Sequence, residues 1–107
     1  MAPRIAQLSE QIVAHFHPDK IILFGSQAYG TPTTESDIDL LVVMDYEGRY
    51  TIQAIKILQS LNTHTPIDLL VRTPAQVSER LRLGDRFMQE IMERGKVLYE
   101  ANHAGMD

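Results

Sequence analysis

The sequence contains no cysteine. That excludes disulfide staples and thiolate zinc sites, and it suits a reducing compartment. It also has no apolar stretch long enough to span a bilayer, and the opening MAPRIAQLSEQIVAHFHP holds no uninterrupted apolar core of the signal-peptide kind. A cytoplasmic protein without membrane contact is therefore expected. Basic charge is sparse: ten Lys and Arg are scattered along the chain, and the net charge is −4. Without a basic stripe to track a phosphodiester backbone, a polynucleotide is not the expected main substrate. A metal-chelated nucleotide stays compatible, because the metal carries the positive charge. The P-loop pattern is missing too. His15, His17, His64 and His103 lack the usual metal-ligand spacing and read as surface or capping residues.

What is present fits one small domain. A chain of 107 residues, 44% hydrophobic and 22% charged, has an ordinary globular composition and a core of modest depth. A partner or a homo- or hetero-oligomer would add stability. Ile5, Leu8, Ile12, Val13 and Phe16 recur at helical spacing and predict a helix over 4–16, stopped at His17-Pro18-Asp19. Residues 20–24 form an almost wholly apolar strand, suited to a sheet covered on both faces. A short helix is expected after Gly25, then a loop at Thr31-Pro32-Thr33-Thr34 and a second strand over 38–44. Thr51 is read as the cap of a helix reaching about Leu61, with Ile52, Ile55, Leu58 and Leu61 on one face. A third strand covers 67–71. Thr73, Pro74 and Gln76 spell a capped helix start, Gly84-Asp85 breaks and restarts that helix, and Met88 and Met92 belong to its core face. Gly95 ends it before a last strand over 96–100. Strands and helices alternate, so the class is α/β or α+β, a small mixed β-sheet flanked by helices. Residues 1–100 form the single domain and 101–107 a flexible tail.

The chemistry concentrates in IILFGSQAYGTPTTESDIDLLVV. Asp37 and Asp39 alternate in an apparent strand, so both carboxylates face the same way, roughly 6–7 Å apart. Like charges this close destabilise each other, and a divalent cation offsets the repulsion. Magnesium suits the pair, since it takes one or two carboxylates plus waters and phosphate oxygens. Gly25 and Ser26 leave a buried strand, where a glycine permits close approach of a phosphate. Either half alone has a plain reading, a turn for Gly-Ser and a solvated cap for Asp-x-Asp. Their spacing beside apolar runs favours function. Asp68 interrupts the apolar run Pro66–Val71, and a lone aspartate in a central strand is poorly explained by packing. It either joins the other two aspartates, orienting or deprotonating an attacking hydroxyl, or pairs with Arg72 on the same face.

Gly25-Ser26, ten residues, Asp37-x-Asp39 and a later strand Asp68 resemble the minimal nucleotidyltransferase (MNT) branch of the DNA-polymerase-beta-like superfamily, over nearly the whole chain. The resemblance implies the polymerase-beta-like palm fold. It further implies two Mg²⁺ ions on Asp37 and Asp39, a metal site completed by Asp68, and the triphosphate of ATP held at Gly25-Ser26. Stand-alone members are often antitoxins paired with a HEPN-domain ribonuclease toxin, to whose tyrosine they transfer AMP. Many relatives carry a basic residue two or so positions beyond the serine, where this sequence reads Gln27-Ala28-Tyr29. The alternatives are an antitoxin that neutralises its partner by binding alone, and an enzyme that modifies a small molecule such as an aminoglycoside. The latter relatives usually have a further domain for the acceptor.

Overall fold

Each strand begins where turn residues give way to a branched apolar run. The computed structural model describes residues 3–30 and 37–101. In chain order these form α1 (Pro3–Phe16), β1 (Lys20–Phe24), α2 (Ser26–Tyr29), β2 (Ile38–Val43), α3 (Tyr50–Ser60), β3 (Ile67–Arg72), α4 (Pro74–Arg82), α5 (Arg86–Arg94) and β4 (Lys96–Glu100). The strands make one mixed sheet in the order β3-β2-β1-β4. β1 is antiparallel to both neighbours, and β2 is parallel to β3 across the α3 crossover. The link from β1 to β2, which could have served either sense, thus joins an antiparallel pair.

The unbroken apolar runs of β1 and β2 arise because helices cover both faces of the sheet. On one face Ile5, Leu8 and Ile12 of α1 and Ile57 of α3 pack on Ile21, Leu23, Leu40, Val42 and Val71. On the other, Val77 of α4 and Met88 and Ile91 of α5 meet Ile22, Phe24, Leu41 and Val43. Each such residue, fully buried, contributes roughly 1.5–3 kcal/mol. The start of α4 is the expected capping box: the Gln76 amide donates to Thr73 Oγ1 at 3.1 Å, and the Thr73 amide donates to Gln76 Oε1 at 2.9 Å. Asp85 caps α5 by accepting from the Met88 amide at 3.1 Å.

Three expectations need correction. Thr51 does not cap α3; Arg49 holds that position, its carbonyl accepts from the Ile52 amide, and Thr51 already lies in the first turn. The helix also turns a different stripe inward. Of the expected face Leu61 packs on the core, but Ile52 and Ile55 are 53% and 50% exposed and Leu58 is exposed, while Ile57 is fully buried with Ala54 packed beside it. Apolar residues stand on more than one side of α3, and its seat on β3 and α1 selected the stripe. Finally, β3 is an edge strand, not a central one, and Asp68 on it is exposed. The expected loop at Thr31-Pro32-Thr33-Thr34, His103 and most of the 101–107 tail lie outside the described residues. Among the described residues, no helix is long and apolar enough to cross a membrane.

Candidate active site

Alternation along β2 decides which way its aspartate points. Ile38, Leu40 and Val42 enter the core under α1 and α3, so Asp39 shares the opposite face with Leu41 and Val43. Asp37, two residues earlier, has the same parity. On β3, Ile67 and Leu69 join the first core and Leu70 the second, which sets Asp68 on the face of Asp39. The parallel register then pairs Asp39 directly with Asp68. Adjacent strands lie about 4.8 Å apart. The three aspartates of the sequence argument are thereby neighbours on one face. At the sheet edge Asp68 is not buried, and the parallel register alone sets it beside Asp39.

Asp39 is half-buried, whereas Asp37 and Asp68 are exposed. Its carboxyl is pushed above its ordinary pKa, first by burial, then by the charge of Asp68, then by that of Asp37. Among the described residues, none of the three is in an ion pair with a basic side chain. Arg72, the alternative partner for Asp68, donates to the Val71 carbonyl at 2.8 Å and lies 4.6 Å over the Tyr50 ring. The cluster therefore has hard oxygen donors, surplus negative charge and access to water. Those properties fit magnesium, which keeps several waters and shares substrate phosphate oxygens. Among the described residues, no three carboxylate or imidazole groups stand close enough together to hold a metal ion by themselves. The aspartates are an open platform that water and substrate oxygens would complete.

Gly25 closes the other side. Phe24 is in register with Asp39, and Gly25 follows at φ 71°, ψ −156°. A side chain here would be strained, and its Cβ would collide with Asp39 Oδ2. Glycine thus brings backbone and carboxylate together, and α2 starts at that contact with the Ala28 and Tyr29 amides donating to the Gly25 carbonyl. The apolar recess between α1 and β4, lined by Val13 and Leu98, lies away from these groups. The chemistry sits on the opposite face of the sheet, at the starts of β2 and β3.

Two neighbours had no signal in the sequence. The Phe24 ring meets Phe87 of α5 edge-on, with centroids 5.7 Å apart, and forms an aromatic wall beside Asp39. The guanidinium of Arg94, at the far end of α5, lies 4.4 Å over the Tyr29 ring of α2. Both pairs span some sixty residues of sequence, and only the packing of α5 on β1 creates them. His15, His17 and His64 are exposed, as expected of surface residues.

A mixed sheet with carboxylates opening a central strand, and a glycine turn pressed against them from the next, is the architecture of a nucleotidyltransferase. The chain belongs to the family described as "Polymerase beta, Nucleotidyltransferase", which it matches over residues 6–104. It is 38% identical over 81 residues to a Methanocaldococcus jannaschii protein named "putative protein adenylyltransferase", covering 75% of this chain and 77% of that one. A crystal structure described as "a putative nucleotidyltransferase from Sulfolobus solfataricus" superposes with a TM-score of 0.62 over 90% of this chain and 77% of the other. At 18% identity, that likeness speaks for the fold.

Proposed function

We propose that this nucleotidyltransferase is a magnesium-dependent protein adenylyltransferase that moves AMP from ATP to a hydroxyl, a tyrosine in the first instance, of a HEPN-domain ribonuclease toxin, and so acts as its antitoxin. The observation that carries the transferase chemistry is the convergence of Asp37, Asp39 and Asp68 on one face with Gly25 against Asp39. Support for a protein acceptor is the name of the 38%-identical relative. The HEPN partner rests on the MNT resemblance alone.

In this reading Asp37 and Asp39 hold the metal, and Gly25 admits the triphosphate without a side chain in its path. Bound magnesium would neutralise charge on the attacking and leaving oxygens at the α-phosphorus. The acceptor oxygen bonds to the α-phosphorus as the bond to the bridging oxygen breaks, and pyrophosphate leaves. The hydroxyl proton passes to Asp68, exposed at the sheet edge where an acceptor can approach. Asp39, less exposed, would hold the metal throughout. Positioning and charge supply most of the rate in such transfers.

The test is incubation of the chain with ATP and Mg²⁺, with and without the neighbouring gene's product, followed by intact mass. Mass added to the partner in AMP steps, lost with Asp37→Asn and Asp39→Asn, is expected. A tight complex of unchanged mass would overturn catalysis in favour of neutralisation by binding.

A further inference from the structure

The face that carries the aspartates holds surplus negative charge, and α2, which starts against Asp39, has no basic residue in Ser26-Gln27-Ala28-Tyr29. A nucleoside triphosphate bound there would bring still more negative charge. A cation that reaches α2 comes from elsewhere in the sequence. β4 pairs antiparallel with β1, Lys96 opposite Leu23, so the chain arriving from α5 passes Phe24 and Gly25 just before it enters the sheet. Gly95 is fitted tightly at this point: a Cβ there would stand 3.0 Å from the Leu23 carbonyl oxygen and 2.5 Å from Ile22 Cγ2. This close seat fixes Arg94, the residue before it, at the end of β1. Its guanidinium then lies 4.4 Å over the Tyr29 ring. The backbone is thus fixed at the end of β1 by Gly95, and the guanidinium is fixed over α2, the helix that starts at Gly25, by the Tyr29 ring.

Arg94 also pairs with Glu90, Nη1 to Oε1 at 3.2 Å, within its own helix. Both side chains are well exposed, and such pairs are weak. A guanidinium has five N–H donors in a planar fork, and this single contact leaves the others for an anion. Stacking on Tyr29 orients the fork without consuming those donors.

We propose that Arg94, oriented by Tyr29, binds the β- and γ-phosphates of the nucleoside triphosphate and selects a triphosphate over a monophosphate. This rests on the nucleotidyltransferase site proposed above. Arg94 here is a binding residue, and Tyr29 a positioning residue.

The experiment is calorimetric titration of the intact chain with ATP and with AMP in Mg²⁺, for wild type, Arg94→Gln, Arg94→Lys and Tyr29→Leu. Arg94→Gln is expected to weaken ATP about ten- to a hundredfold, as loss of charge-assisted hydrogen bonds does, and to leave AMP unchanged. Arg94→Lys should recover part of the loss, and Tyr29→Leu should fall between wild type and Arg94→Gln. Unchanged ATP affinity in Arg94→Gln, or equal losses for ATP and AMP, would overturn the assignment while leaving the nucleotidyltransferase reading intact. Wild type that binds no ATP would overturn that reading and this assignment together.

Discussion

Asp39 is the residue at which structure and chemistry compete most directly. Burial and two neighbouring carboxylates raise its pKa in the folded state. Between the ordinary carboxylate pKa and the raised one, the folded protein keeps a proton that the unfolded chain has lost. Stability linked to Asp39 is thus fully present below the ordinary value and is lost as pH rises through the folded one. Without metal, Asp39→Asn should melt no lower than wild type at neutral pH, its relative advantage shrinking towards acid. The same variant should lose about 10²–10³-fold or more in transfer rate, in line with removal of a key electrostatic stabiliser. Thermal melts across pH, with AMP transfer assayed in parallel, check both halves. Gly25 is the complementary case. Gly25→Ala meets positive φ and the Asp39 carboxylate at once, so a loss of about 1–3 kcal/mol is expected from strain, together with weakened metal binding; urea unfolding and a magnesium titration measure them. The sequence marked both residues as candidates. It did not show that they touch, because that contact depends on the β1–β2 register.

At the scale of elements, α3 separates what periodicity can and cannot tell. The helix itself, and the α4 start at Thr73, were readable from residue spacing and capping chemistry. Its inward face was not, because Ile52, Ile55 and Leu58 line up with Leu61 as well as Ala54 and Ile57 do. The buried stripe follows from where the β2–β3 crossover sets the helix on the sheet. Ile57→Ala should therefore cost about 2–5 kcal/mol, as large-to-small changes at buried sites do. Ile55→Lys should leave the unfolding midpoint close to wild type. Equal destabilisation by the two would mean that α3 packs by the other stripe. α5 shows a related limit: its amphipathic pattern was visible, but the contacts of Phe87 and Arg94 at the site require β4 to pair with β1.

For the whole molecule, the open platform of carboxylates makes ligand binding a stabilising event. Magnesium and ATP that bind only the folded state should raise the melting temperature, by about 2.7 kcal/mol of stabilisation at ligand concentrations a hundred times Kd. EDTA should reverse the shift and stop transfer, and Asp39→Asn should show little of it, as differential scanning fluorimetry would report. By itself the sequence determined the element order, the mixed class of the fold, and the five candidates Gly25, Ser26, Asp37, Asp39 and Asp68, since these depend on local spacing, turn chemistry and parity along a strand. Tertiary structure alone decided that β3 lies at the edge and in parallel register, pairing Asp68 with Asp39, and that α5 returns Arg94 to the end of β1. Those outcomes depend on strand order and helix seating, which arise from packing between segments far apart in the chain.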